Sequence, residues 1–272
     1  MVTGWLFLPW PGGALGILPG IAVFAAVGSL LAAASVRLAA GLTGETTYRG
    51  RSFWFGRSIC PACGVEIAAR DLVPVISWAI LRGRCRACGT AIARDYALSE
   101  IGAVLAFLAA FATQPSAGRV VAVALLGAVL AALTIVDLRH QLLPDPLVLP
   151  LLPLGLAVAA LAGPDGWPKP IDGLAGAALG GGLLWVVRAV YRRFRGIEAL
   201  GLGDVKLMAV AGAWVGWQGL SSVLLVAALG TLLAIGLVRL AGRRVGGRER
   251  IPFGPGLALG CLATVLLGPL PL

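Results

Sequence analysis

Long apolar runs separated by short polar breaks dominate the chain. A helix needs roughly 20 apolar residues to cross the hydrocarbon core of a bilayer. Eight runs approach or reach that length, at residues 13–36, 97–114, 118–137, 146–162, 171–190, 204–218, 221–239 and 252–269. Proline, glycine and charged residues mark the breaks, as in the stretches 163–170 and 239–250. The pattern predicts an all-α fold, a polytopic membrane bundle of about eight transmembrane helices.

The composition excludes a water-soluble domain. Of the 272 residues, 59% are hydrophobic and 12% are charged, and the mean hydropathy is +0.94. Soluble globular proteins carry about 25% charged residues. A chain with half of that supply cannot cover a water-facing surface of its size, so we expect an integral membrane protein.

One long polar stretch, residues 37–96, interrupts the apolar pattern. It holds nine of the 22 Lys and Arg residues and four of the five cysteines. We therefore divide the chain into a first transmembrane helix (1–36), a polar domain (37–96) and a transmembrane bundle (97–272).

The positive charges fall on one side of the membrane when the eight runs alternate across it from an N-terminus outside the cell. Twenty of the 22 bases then face the cytoplasm, and only Arg119 and Lys169 lie outside. Cytoplasmic loops of membrane proteins carry this kind of excess. Topology thus explains the net charge of +10. The sequence predicts a lipid bilayer as partner, no nucleic acid, and a cytoplasmic location for residues 37–96.

Two Cys-x-x-Cys pairs lie inside this polar domain. Cys60 and Cys63 form the first pair, and Cys85 and Cys88 form the second after 21 intervening residues. Two such pairs are typical of a tetrahedral Zn²⁺ site with four thiolates. Four thiolates leave no open position on the metal, so the expected role of the zinc is structural. The alternative is two disulfides, which the reducing cytoplasm disfavours.

Acidic residues beside apolar runs indicate a functional site, because a carboxylate inside a membrane is energetically costly. Asp137 ends the third run and Asp204 begins the sixth, so both are expected at the cytoplasmic face. Two carboxylates in one partly apolar site share a proton, as in aspartic proteases that activate water. The alternative is that each aspartate only caps a helix end. Asp145 has the same two interpretations, and we expect His140 to be a solvated interfacial side chain.

Four segments resemble one family, the type IV prepilin peptidases, which are bacterial GxGD aspartic proteases also called leader peptidase/N-methyltransferases. The similarity extends from about residue 28 to residue 260. The segments that carry it are CPAC…SWAILRGRCRAC at 60–88, DLRHQLLPDPLVLP at 137–150, EALGLGDVKLMAVAGAWVGW at 198–217 and IPFGPGLALG at 251–260. A lone GxGD is a weak signal, whereas the order and spacing of all four segments are specific.

The resemblance implies a multi-pass protease of the bacterial inner membrane that cuts the leader from type IV prepilins or type II secretion pseudopilins. The cut lies on the cytoplasmic side after a glycine, commonly before phenylalanine. The family's catalytic aspartates fall on Asp137 and Asp204, and its zinc cysteines fall on Cys60, Cys63, Cys85 and Cys88. Residues 97–272 then form the protease bundle and 37–96 the zinc domain.

The resemblance also implies a second activity. Family members with this cysteine domain typically methylate the new N-terminal amine from S-adenosylmethionine. No glycine-rich fingerprint for a nucleotide-like methyl donor is visible in the sequence, so we assign no residues to it.

Two other classes of protein share some of these features. A transporter can use intramembrane aspartates for proton relay. In a transporter, however, the carboxylates are expected near mid-bilayer, and the two halves of the chain are expected to be related by an internal repeat. A zinc-ribbon scaffold explains the cysteines and the basic domain, yet it leaves the aspartates unused and predicts full function without them.

Overall fold

The computed structural model describes residues 16–43, 58–161, 168–196, 200–242 and 252–271. In these ranges the chain is helical, and extended pairing is limited to two isolated bridges, Ile59–Glu66 and Arg84–Ala91. The predicted all-α fold is confirmed.

Ten α-helices form in the described ranges. They are α1 (Ile17–Thr43), α2 (Ile76–Ile80), α3 (Arg94–Thr113), α4 (Ala117–His140), α5 (Asp145–Val148), α6 (Leu151–Leu161), α7 (Pro170–Arg195), α8 (Leu202–Val215), α9 (Leu220–Leu240) and α10 (Gly254–Leu267). Single 3-10 turns at Ala69–Leu72 and Trp217–Gly219 precede α2 and α9.

Within the described residues, every apolar run of the sequence corresponds to a helix or a pair of helices. Five segments are long and apolar enough to cross a membrane, namely those of α1, α3, α4, α7 and, with its preceding turn, α9. The other three runs form shorter helices, so the count of eight spans stays a prediction. The run 146–162 divides into α5 and α6 at Leu149 and Pro150, where proline has no N–H to donate to the helix.

Helix α4 lies at the centre of the bundle. It packs against α1, α3 and α10, and the side chains of Val123, Leu126, Leu130 and Leu133 are fully buried along it. Helices α7 and α9 bury far less of their length, so their apolar residues face the lipid.

Helix α8 belongs to a second group of helices and packs against α6, α7 and α10. Its Trp214 is buried, and the indole Nε1 donates a hydrogen bond of 2.8 Å to the carbonyl of Leu151 on α6. Because α10 packs on both α4 and α8, it joins the two groups.

The start of α3 and the end of α4 lie at the same end of the bundle. The Nε of Arg139, in the last turn of α4, is 2.5 Å from Oδ2 of Asp95, in the first turn of α3. The polar domain leads directly into α3. It therefore lies at the same end of the bundle as the C-terminus of α4.

The backbones of α7 and α8 meet at two glycines. A Cβ placed on Gly176 would collide with the carbonyl oxygen of Gly212, and one placed on Gly212 would collide with the carbonyl oxygen of Gly176. Small residues allow this approach between membrane helices, where packing rather than hydrophobic exclusion drives association.

We expect Gly176→Ala to destabilise the protein, because the added methyl group meets backbone that cannot move aside. Overpacking of this kind costs about 1–3 kcal/mol. Gly182→Ala is the matched control, since it lies on the same helix and its Cβ would meet nothing within 4 Å. Thermal unfolding of the purified protein in detergent measures both variants. Equal midpoints for the two variants would contradict the close contact between α7 and α8.

Candidate active site and cysteine cluster

Asp137 lies in the last turn of α4, with 6% of the residue exposed. The helix ends one turn later at Gln141, which adopts a left-handed conformation with φ 52° and donates its N–H to the carbonyl of Asp137. Aspartate stabilises the N-terminus of a helix, and a negative charge at the C-terminus opposes the helix dipole. Helix capping therefore does not explain Asp137.

Asp204 lies in the first turn of α8, three residues after the N-cap residue Gly201. Its carboxylate lies close enough to the Gly201 N–H to accept a hydrogen bond from it, which is the role of the third residue of a capping box. The capping interpretation thus applies to Asp204 in part. The side chain is half-buried, and its position is set by the helix that it caps.

The structure brings the two aspartates together at the junction of α4, α8 and α10. Their carboxylates are close enough to interact electrostatically, although 67 residues separate them in the sequence. The Oδ2 atom of Asp137 is buried and has no hydrogen-bond partner among the described residues. A buried carboxylate oxygen without a partner needs a proton, a water or a substrate group.

Gly254, the first residue of α10, adjoins Asp137. Its backbone N–H is close enough to hydrogen-bond the carboxylate, and a Cβ placed on it would lie 2.5 Å from Oδ2. Gly203 is similarly close to Leu143, because its Cβ would lie 2.7 Å from that of Leu143. These glycines let the backbone approach the site where any side chain would collide.

Gly254 and Leu143 were not among the residues predicted for the site. Gly254 belongs to the segment IPFGPGLALG, which carried part of the resemblance, so the motif was visible in the sequence. Its chain distance from both aspartates gave no reason to place it beside them. Leu143 lies in the loop between α4 and α5 and carries no chemical signal.

Asp145 and His140, whose roles the sequence left open, lie outside the pair of aspartates. Asp145 opens α5 and forms an ion pair with Lys206 on α8. His140 is exposed, as expected, and borders a small cavity between α1, α3 and α4. Arg139 and Asp95 line the same cavity.

The four cysteines of the polar domain form one cluster. Their Sγ atoms all lie within 4.8 Å of one another, and none forms a disulfide. The Sγ atoms of Cys60 and Cys88 are 3.7 Å apart. A disulfide bond measures about 2.05 Å, whereas Zn–S bonds of about 2.3 Å in a tetrahedron place sulfurs about 3.8 Å apart. The donor set fits a metal ion and not two disulfides.

The two Cys-x-x-Cys turns have the same backbone geometry. Gly64 and Gly89, with φ of 71° and 72°, donate their N–H groups to the carbonyls of Cys60 and Cys85. This left-handed conformation favours glycine. Each turn therefore presents its two sulfurs on the same side, as a shared metal site requires.

Two polar contacts hold residues 58–92, which we call the cysteine domain, in place. Oε2 of Glu100, which is buried on α3, accepts a 2.6 Å hydrogen bond from the backbone N–H of Val75. Arg86, between the second pair of cysteines, forms two hydrogen bonds from Nε and one from Nη2 to Asp71. The guanidinium lowers the pKa of the Asp71 carboxyl. The domain is thus tied internally and to the start of a membrane helix.

Comparison with known proteins gives two family matches. Residues 23–114 match the bacterial Peptidase A24 N-terminal domain, and residues 124–237 match the type IV leader peptidase family. No solved structure matches the chain significantly.

Characterised relatives cover most of the chain. The prepilin leader peptidase/N-methyltransferase of Aeromonas salmonicida is 42% identical over 216 residues, which are 78% of this chain and 72% of that protein. The protein of the same name from Pectobacterium carotovorum is 37% identical over 270 residues, 94% of this chain and 92% of that protein. The type 4 prepilin-like proteins leader peptide-processing enzyme of Escherichia coli is 40% identical over 214 residues, 78% and 76% respectively. With a helical membrane fold, a four-cysteine cluster and these relatives, the chain belongs to the type IV leader peptidase family.

Proposed function

We propose that the chain cuts the leader peptide from type IV prepilins or type II secretion pseudopilins, with Asp137 and Asp204 as its catalytic residues. The observation that carries this proposal is the meeting of two carboxylates from separate helices at a buried junction. One of them, Asp137, has an Oδ2 atom without a hydrogen-bond partner among the described residues. Membership of the family indicates peptide hydrolysis as the reaction, and the junction supports the choice of Asp137 and Asp204 as its catalytic residues.

The two aspartates act as one unit in the proposed mechanism. They share one proton, because like charges at short distance in a partly apolar site do not both ionise. The ionised carboxylate takes a proton from a water molecule as that water attacks the scissile carbonyl. The protonated carboxylate donates its proton toward the carbonyl oxygen or the leaving amine. The pair therefore titrates as a whole, and neither pKa belongs to one residue.

Apolar residues beside the aspartates suit a substrate whose mature segment is an apolar helix. Leu138 follows Asp137 with 60% of its surface exposed, and Leu202 precedes Asp204 with 50% exposed. Such a helix can pack against these side chains within the membrane while the leader stays in water. The scissile bond then lies at the membrane surface, next to the carboxylates.

The proposed metal is a structural Zn²⁺ held by Cys60, Cys63, Cys85 and Cys88. Residues 58–92 bury almost no apolar side chain, and Cys60 is the buried hydrophobic residue among them. A domain without a core needs a metal or a similar crosslink to fold. Zinc supplies that crosslink and takes no part in the proposed hydrolysis.

Methylation of the new N-terminus from S-adenosylmethionine is the second proposed activity. It rests on family membership and on the names of the relatives. The described residues contain no strand followed by a glycine-rich turn and a helix, which is the usual cradle of nucleotide-like cofactors. The described residues therefore offer no recognisable cradle for the methyl donor.

The proposed location is the bacterial inner membrane, with the N-terminus outside and the active site and cysteine domain in the cytoplasm. The Arg139–Asp95 contact supports one common end for the cysteine domain and the end of α4. The excess of basic residues in the loops assigned to this end supports its cytoplasmic orientation.

Replacing either aspartate should abolish cleavage. We expect Asp137→Asn and Asp204→Asn to lower kcat by at least about 1,000-fold, because neither variant can share a proton. Prepilin cleavage by the purified protein in detergent, followed by gel or mass spectrometry, measures the loss. Asp172→Asn, in the first turn of α7, is the control and should keep normal turnover. Near-normal turnover of either catalytic variant would refute the pair.

Removing a cysteine ligand should remove the metal. Elemental analysis of the purified protein is expected to give one zinc per chain, and Cys60→Ser or Cys88→Ser should bind none. Without the metal, trypsin should cut after Arg82 and Arg84 faster, because the domain loses its crosslink. Cys261→Ser, at a buried position on α10, is the control and should retain the zinc. A full complement of zinc in the Cys60 variant would disprove the site.

Coexpression with a prepilin should report both activities in one spectrum. We expect the pilin N-terminus to lack its leader and to carry one added methyl group, measured by mass spectrometry. The Asp137→Asn protein is the control and should leave the leader in place. A cleaved but unmethylated N-terminus would contradict the second activity alone.

A further inference from the structure

We propose that the ion pair between Asp145 and Lys206 positions the two catalytic aspartates relative to each other. The proposal rests on the assignment of Asp137 and Asp204 as catalytic residues. Asp145 and Lys206 are positioning residues in it, because they act through the backbone segments that carry those aspartates. We call this ion pair the brace.

The geometry of the brace is that of a two-point contact. Nζ of Lys206 lies 2.6 Å from Oδ1 and 2.8 Å from Oδ2 of Asp145. Lys206 lies two residues after Asp204 on α8, and Asp145 lies eight residues after Asp137 at the start of α5. Both partners are therefore close along the chain to one catalytic residue each.

The brace completes a short path between the two catalytic residues. The path runs from Asp137 through the loop 141–144 to Asp145, across the ion pair to Lys206, and back along α8 to Asp204. Leu143 of this loop packs against Gly203, next to Asp204, and its Cδ1 would lie 3.5 Å from a Cβ on Gly254. The loop thus fills the space between the helix ends, and the ion pair holds its far end.

The distance between the two aspartates depends on elements that connect α4 to α8. Helices α4 and α8 are joined chiefly through α10 and through the segment formed by α5 and α6. The brace adds an ion pair to the second of these connections, at the start of α5. Without it, α10, the packing of α5 and α6, and Leu143 still hold the end of α8 to the end of α4, but the directional polar contact is lost.

The brace is too exposed to contribute much to folding. The side chains of Lys206 and Asp145 are 34% and 50% exposed, and exposed ion pairs contribute about 0–1 kcal/mol to stability. A displacement of about 1 Å at a catalytic group, however, lowers the rate by up to about 100-fold. Loss of the brace should therefore affect the catalytic rate far more than the folding of the protein.

The test is a double-mutant cycle in the full-length protein, with kcat and KM measured on one prepilin. Asp145→Asn and Lys206→Met are each expected to lower kcat about 10-fold to 100-fold, with KM within about twofold of the parent value. The double variant should lose no more than the worse single variant, because both substitutions remove the same contact. Lys206→Arg keeps the ion pair and should retain kcat within about threefold.

Asp172→Asn provides the control. Asp172 lies in the first turn of α7 and near Gly216, which follows the end of α8 opposite to Asp204. Asp172→Asn should leave kcat unchanged. All variants should unfold within a few degrees of the parent protein, which shows that the loss of rate is not a loss of folded protein.

Specific outcomes would overturn the proposal. Unchanged kcat in Asp145→Asn and Lys206→Met would overturn it, as would additive losses in the double variant. A pH optimum that shifts in Lys206→Met but not in Asp145→Asn would also overturn it, since the lysine charge would then act directly on the aspartates. None of these results would contradict the assignment of Asp137 and Asp204 as catalytic residues. That assignment fails only when Asp137→Asn or Asp204→Asn retains activity.

Discussion

The cost of an unpaired polar group in hydrocarbon determines how this protein is built. No water is available inside a bilayer, so backbone N–H and C=O groups must pair within their own helix, and carboxylates are costly away from its ends. The chain therefore places its apolar runs in helices. It also keeps Asp137 and Asp204 in the last and first turns of the helices that carry them. The proposed site lies where those two helix ends meet.

Close packing of backbone holds the two helix ends in register. Gly176 and Gly212 let α7 and α8 approach until their carbonyls touch the opposite helix, which fixes the position of α8. Gly203 and Gly254 remove side chains where Leu143 and Asp137 occupy the space. Helix α10 contacts both α4 and α8 and so carries Gly254 to the junction. Small residues at these positions are what allow polar groups to meet in an otherwise apolar bundle.

The cysteine domain follows a different principle from the bundle. It has almost no buried apolar residues, and its two turns are nearly identical in backbone geometry. Its order depends on four sulfur atoms that converge and on the contacts of Asp71 and Glu100. The Glu100 contact ties the domain to α3 near the end of the bundle where the aspartates lie. The cysteine cluster and these contacts together order a small polar domain beside the membrane.

The sequence by itself determined the helices, the cysteine cluster and the family. Apolar length and Cys-x-x-Cys spacing act locally, so a linear reading recovers them without knowledge of the packing. The tertiary structure alone decided three further points. It showed that Asp204 lies at the N-terminus of α8, where an aspartate can cap a helix, whereas Asp137 lies at the C-terminus of α4, where it cannot. It brought Gly254 to Asp137, and it paired Asp145 with Lys206 across 61 residues. Such contacts depend on how helices pack, and no local pattern in the sequence encodes the distance between two helix ends.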